Sequence, residues 1–405
     1  MTSILPACIS SMKQLAHAGY PTCCRLRHFR CIFTTLPYPT LPTEFPTYIF
    51  QLLAHPEFEH LVWDLEPEKK GKLAVAKDRG GPINIAYEVH GHGDRHLVWI
   101  MGLGGMKDAW QRQTKDFAHD QADKYSSLIL DNRGIGESDK PIFRYSTSEM
   151  AKDVIEVIDH IGWIGKRELH VIGISMGGMI AQEMAYQIPT RICTLSLIST
   201  ASHLFRTTGF LSNLAARASL FLPKSPSAKL TSIKHNLYTP AWLSAPDAIP
   251  PVSSTPFPTN GDRFAANELR KQQHPEYVAK IPFMLQAVAA GWHYKSPEQL
   301  LRMAGEVGKR RIMVVHGTQD RMLAFPLGVV LWRGLEKGEG RTGRENWLGV
   351  EQEEDVWAEG GEIERHFVKG GAHVLPAEMR AEFNGWVANL VERGVRLNAE
   401  EGVEV

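Results

Sequence analysis

What most constrains the fold is a repeated rhythm in which a short apolar run alternates with a segment of helical periodicity. LVWIMG at 97–102, SSLILDNRG at 126–134, ELHVIGIS at 168–175, ICTLSLIST at 192–200 and RRIMVVHG at 310–317 are the apolar runs. A strand with little polar alternation is buried on both faces. Such strands joined through helices belong to an α/β fold with a mostly parallel central sheet, flanked by helices on both sides. KLAVAKD and PINIAYEVHG alternate apolar and polar residues around a DRGG turn, which predicts a hairpin at the start of the sheet.

Between the runs, AWQRQTKDFA is helix-like. Ser146 with Glu149 predicts a capping box, followed by Met150, Val154, Val157, Ile158 and Ile161 at helical spacing. GGMIAQEMAYQI is helical until Pro189 stops it. Residues 202–300 break the rhythm. FLSNLAARASLFL and YVAKIPFMLQAVAAGW predict helices around a Pro- and Ser-rich passage at 241–260, so the segment is expected to be a helical cap insertion. The core then occupies 72–201 and 301–395. ERHFVKG is its last strand and AEMRAEFNGWVANLVERG its last helix. The charged, Gly-rich stretch 336–361, with EQEED near its end, is expected to be a solvated insertion loop. Residues 46–71 form an N-terminal packing segment.

Lys plus Arg and Asp plus Glu each number 45, a balance that offers nothing to a nucleic-acid partner. No stretch approaches the roughly 20 apolar residues of a membrane-spanning helix. Residues 1–45 contain Lys13, Arg25, Arg27 and Arg30 with a single acid, Glu44. This composition fits a mitochondrial presequence, and also a disordered leader on a cytoplasmic protein. The five cysteines lack the spacing of a disulfide framework or metal site, and Cys193 is expected to be a small buried apolar residue.

Gly173-Ile174-Ser175-Met176-Gly177 stands between an apolar run and a helix. In that setting a serine sits on a sharp strand-to-helix turn with its hydroxyl exposed above the strand ends. Gly173 and Gly177 let the chain reverse, and Gly178 lets the helix start close to the sheet. The alternative is a structural turn serine. A serine hydroxyl needs a base. His373, in Gly370-Gly371-Ala372-His373 after the last strand, is the candidate, with His366 as rival. Asp320, in His316-Gly317-Thr318-Gln319-Asp320, is the candidate orienting acid, ahead of Asp131 and Asp153. Backbone N–H groups of Met176 and of Leu103, in the Gly102-Leu103-Gly104-Gly105 loop, are the candidate oxyanion donors. That loop completes neither phosphate-binding pattern, so it is not expected to hold a nucleotide.

MGLGGMKDAW, DNRGIGESDKP, GISMGG and the pair HGTQD and GGAHVLP together resemble the α/β-hydrolase superfamily over roughly residues 72–395. The similarity is greatest to the cap-bearing esterase, lactonase and aminopeptidase-like branch. Many members have His-Gly where this chain has Met101-Gly102. The resemblance implies a structural role for Asp131 and Arg133. The serine at the elbow, where epoxide hydrolases and haloalkane dehalogenases have aspartate, argues against those two chemistries. What it implies is hydrolysis of a small or lipid-like acyl substrate through an acyl-enzyme, with no metal or organic cofactor. Acyl transfer, thioester cleavage, carbon–carbon cleavage and aminopeptidase action use the same residues. A non-catalytic ligand-binding protein on this scaffold is the alternative from another class.

Overall fold

The computed structural model describes residues 44–205, 226–274, 276–340 and 349–403. Residues 1–43 and the helix expected at 210–222 lie outside them. The described residues divide into two compact units, one made of those within Val62–Leu243 and Pro275–Val405 and one of 44–61 with Ser244–His274.

The larger unit holds an eight-stranded sheet in the order β1-β2-β4-β3-β5-β6-β7-β8. The strands are β1 Lys69–Val75, β2 Ile83–His90, β3 Arg95–Ile100, β4 Tyr125–Leu130, β5 Leu169–Ile174, β6 Ile192–Ile198, β7 Ile312–Gly317 and β8 Glu364–Val368. The expected hairpin is β1 against β2, antiparallel from Lys69 opposite Val89 to Val75 opposite Ile83. From β4 to β8 every pairing is parallel.

Side chains that alternate along each strand supply two apolar layers. Val98, Ile100 and Val171 face one way, against Met150, Val154, Val157 and Ile158 of helix Thr147–Ile161 and Ile180 and Met184 of helix Met176–Gln187. Leu97, Trp99, Ile172 and Ile174 face the other way, against Phe117 and against Phe383, Val387, Leu390 and Val391 of helix Arg380–Glu400. Cys193 is buried on β6, and burial pushes its thiol up to about 11, so it behaves as a small apolar residue.

Local details depart from expectation for physical reasons. Ser146 Oγ accepts from Glu149 N at 3.1 Å, but the Glu149 carboxylate is taken by Arg79 and Lys152, leaving the capping box half formed. The expected solvated loop at 336–361 is partly packed. Val350 and Val356 are buried against Phe325 and Val329, and Arg333 holds Glu353 and Asp355. The last helix continues to Glu400. Near its end Asn398, with the following Glu401, satisfies the buried Arg311 at 2.8 Å each.

The described part of the insertion between β6 and β7 is mainly helical, with Pro226–Leu237, Lys280–Gly291 and Pro297–Val307 in the larger unit. Its stems meet: Lys295 N donates to Ser202 O at 2.9 Å and His203 pairs with Tyr294. Residues 244–274 instead group with the N-terminal segment up to Leu61. In that smaller unit Arg263 is nearly buried and needs carboxylates. Asp247 supplies one at 2.8 Å and Glu57 another at 3.4 Å. Tyr48 adds a hydrogen bond to Asp262 at 2.7 Å. Among the described residues no helix is long and apolar enough to cross a membrane, and no three His, Cys, Asp or Glu side chains are grouped to hold a metal ion.

Candidate active site

Ser175 leaves β5 and precedes helix Met176–Gln187 with φ 58° and ψ −123°. A non-glycine residue there stores about 1–3 kcal/mol of strain, and the surroundings must over-determine it. They do. Ser175 N donates to Ile198 O at 2.9 Å, and Thr200 Oγ1 donates to Ser175 O at 2.7 Å. A methyl group at Gly173 would overlap the Gly177 carbonyl, and one at Gly177 would overlap the Ile100 carbonyl. A methyl at Gly178 would lie 2.6 Å from the Thr200 side chain. Each glycine is therefore required by a close approach of helix and sheet.

Asp320 follows β7 and His373 follows β8. Although 53 positions apart, they meet at 2.7 Å through Asp320 Oδ2 and His373 Nδ1, and both are buried. The long stretch between them does not separate them, because their loops are laced together beside adjacent parallel strands. Thr318 N donates to Val368 O, Gln319 N to Gly371 O and Gly370 N to Thr318 Oγ1. The other carboxylate oxygen, Asp320 Oδ1, accepts from Met322 N and Leu323 N at 2.8 Å each. His316 lies behind it, with Nε2 2.8 Å from Leu323 O and 3.4 Å from Asp320 Oδ2. Burial lowers the His316 imidazole below its ordinary range, so Nε2–H donates to the Leu323 carbonyl from a neutral ring. The rival His366 is on β8, engaged with Glu364 at 2.5 Å and stacked on Trp386.

The loop after β3 lies against the elbow. A methyl at Gly102 would sit 2.9 Å from Ser175 Cβ and 3.4 Å from its Oγ. Gly105 N–H is bound to Gly102 O, and Gly104 N–H to the Gln286 side chain at 3.0 Å. Leu103 between them is half-buried. Met176 opens its helix, where leading N–H groups have no acceptor inside the helix. Thus the structure brings Asp320 to His373, and Ser175 to the Gly102–Leu103 turn. Among the described residues His373 is hydrogen-bonded to Asp320 and not to Ser175.

Asp131 accepts from Lys107 N at 2.8 Å and Glu137 N at 2.9 Å, bracing loops rather than facing His373. Arg133 and Asp153 form a buried two-bond pair at 2.6 Å each, with Arg79 on Asp153 at 3.0 Å. Breaking a buried pair leaves an uncompensated charge, so Asp153→Asn should destabilise the fold by about 3–5 kcal/mol in urea unfolding. A loss below about 1 kcal/mol would show that the pair is dispensable.

Of the apolar insertion residues, Phe283 reaches the loop: a methyl on Gly104 would lie 2.8 Å from its ring. Met284 and Trp292 are on the solvent side, 40% and 70% exposed. Phe210, Leu211 and Phe221 lie outside the described residues. Sequence reasoning missed Gln286, a fully buried polar residue in an apolar helix.

Comparison with known proteins adds the following. Residues 95–325 match a family model described as the alpha/beta hydrolase fold. A 3-oxoadipate enol-lactonase 2 from Acinetobacter baylyi is 27% identical over 173 residues, which are 42% of this chain and 61% of the relative. The dihydrolipoyllysine-residue acetyltransferase component of an acetoin cleaving system from Pseudomonas putida is 34% identical over 134 residues, 33% of this chain and 34% of that protein. Both matches span less than two thirds of the relative. The solved structure of a meta-cleavage product hydrolase from Pseudomonas fluorescens IP01 superimposes with a TM-score of 0.57 at 16% identity, covering 83% of this chain and all of that one. At that identity the likeness concerns the fold.

Proposed function

We propose that this chain, which belongs to the alpha/beta hydrolase fold family, is a serine hydrolase that cleaves a carboxylic ester through an acyl-enzyme. The observation that carries this reading is the buried 2.7 Å contact between Asp320 and His373, on loops after β7 and β8 of the same parallel sheet in which β5 ends at the strained Ser175 turn. An imidazole bound at Nδ1 by a carboxylate keeps its proton there and presents Nε2 as the base. In the first step Ser175 Oγ attacks the acyl carbon and His373 Nε2 takes the hydroxyl proton. The oxyanion is held by the N–H groups of Met176 and Leu103. Leu103 is supported by the neighbouring N–H groups of Gly104 and Gly105 being engaged elsewhere, and Met176 by its place at the start of the helix after Ser175. The tetrahedral intermediate collapses, and His373 gives its proton to the departing alcohol. Water, deprotonated by the same imidazole, then releases the acid.

The partly buried Leu103 and Phe283 beside the loop favour a small or lipid-like apolar acyl group. A relative named as an enol-lactonase supports the ester and lactone class. The acetyltransferase relative motivates one second reading, transfer of the acyl group to an alcohol or thiol.

A panel of p-nitrophenyl esters from acetate to decanoate, run with and without added alcohols and thiols, tests both. The expected outcome is turnover of short and medium esters with free acid as the product. Acyl product on an added alcohol or thiol in preference to acid would move the assignment to transfer. No turnover of any acyl substrate by folded protein would overturn both readings.

A further inference from the structure

Gln286 lies on helix Lys280–Gly291, within the insertion, and its side chain is wholly buried. A buried amide must satisfy both ends, and here each end binds backbone from a different loop. Oε1 accepts from Gly104 N at 3.0 Å, in the turn that carries the proposed oxyanion donor. Nε2 donates to Arg133 O at 2.8 Å. The Arg133 loop is itself fixed, because its guanidinium is locked on Asp153. The same helix touches Gly104 a second time through the Phe283 ring. Gly104 has φ 67°, a left-handed conformation that glycine adopts without strain. Its conformation is therefore set mainly by what binds it from outside.

We propose that Gln286 is a positioning residue that fixes the orientation of the Leu103 N–H by clamping Gly104 to the Arg133 loop, so that oxyanion stabilisation depends on the seating of the insertion helix. This rests on the hydrolase reading above. The clamp touches neither the nucleophile nor the base, so its loss acts on the transition state rather than on proton transfer. An oxyanion donor displaced by a fraction of an ångström stabilises less of the developing charge, while ground-state binding is little altered.

The test compares wild type with Gln286→Met, which keeps the length and removes both hydrogen bonds, and with Gln286→Glu. Kinetics use a p-nitrophenyl ester, and hydrogen exchange follows the Gly104 amide. For Gln286→Met the expected result is a fall in kcat of about 10- to 100-fold with KM changed by less than about threefold, and faster exchange at Gly104. In Gln286→Glu the protonated carboxyl can both accept from Gly104 and donate to Arg133 O. The ionised form only accepts. Its rate relative to wild type should therefore rise as pH falls, a rescue that simple loss of packing would not produce. The charged neighbours Arg133, Asp153 and Arg79 are bound to one another and are shared by all three proteins. If Gln286→Met does not fold, the pH dependence of Gln286→Glu decides.

Unchanged kcat in folded Gln286→Met would overturn the proposal, as would a loss confined to KM or unchanged exchange at Gly104. If wild type turns over no ester, the hydrolase reading fails by itself. The exchange arm then still decides whether the clamp exists.

Discussion

Ser175→Ala is expected to lower kcat on the order of 10⁶-fold, to abolish labelling by a fluorophosphonate probe, and to leave the fold and substrate binding intact. The proposed nucleophilic oxygen is the only heavy atom removed. The turn is held by backbone and neighbours: Ile198 O, the Thr200 hydroxyl and the three flanking glycines. Alanine can occupy the same strained φ and ψ at a similar cost, so the thermal midpoint should move little. The measurement is single-turnover kinetics with intact-mass detection of the acyl-enzyme. Retention of more than about one per cent of wild-type kcat by Ser175→Ala would mean that another group attacks the substrate.

Asp320→Asn should cost about 10⁴-fold in kcat with a much smaller change in KM. The hydrogen bonds around Asp320 give the reason. Met322 N and Leu323 N both donate to Oδ1, so an asparagine must keep its oxygen there. Its NH2 group would then face His373 Nδ1, which currently lies 2.7 Å from Oδ2. A donor in that place makes Nδ1 an acceptor and moves the ring proton to Nε2, the atom proposed as the base. Asp131→Asn is the control, and it should disturb loop order or stability because Asp131 binds the N–H groups of Lys107 and Glu137. Near-wild-type kcat in Asp320→Asn, with a large loss on replacing another carboxylate, would reassign the acid.

Much of the fold could be read in the sequence because a parallel sheet leaves a strong imprint. Strands such as LHVIGI and ICTLSLI are buried at every position and contain few polar interruptions. The elbow was legible for a related reason. Gly173, Gly177 and Gly178 each face an atom that would collide with a side chain, so the motif follows from close packing. The meeting of Asp320 and His373 could be anticipated only from their order along the chain and their place after strands.

Contacts made by isolated side chains across the sequence were not legible. Gln286 reaches partners 182 and 153 positions away, and a glutamine in an apolar helix has no periodic signature. The acidic run near 351–355 looks like a solvated face, because its composition does not reveal that Arg333 stands opposite. The Glu149 carboxylate fits a capping pattern equally well, yet Arg79 and Lys152 compete for it. The division of the insertion, with 244–274 joining the N-terminal segment, involves contacts such as Arg263 with Glu57 and Tyr48 with Asp262.

The meeting of the two insertion stems at Ser202 and Lys295 has a consequence for how such a protein diversifies. When the two ends of an inserted segment are already joined, the sheet is indifferent to the length of chain between them, and lengthening it adds only a slowly growing entropic penalty. The segment is thus a cassette whose length can vary, though it is tied to the scaffold beneath it where Leu237 O accepts from His373 N and Val374 N and Tyr277 O accepts from Gly136 N. Yet this cassette also carries the amide that grips Gly104. A graft that alters only the substrate-facing surface would inherit a new specificity and keep the old rate. One that omits a hydrogen-bonding side chain at that position would bind its new substrate and turn it over slowly.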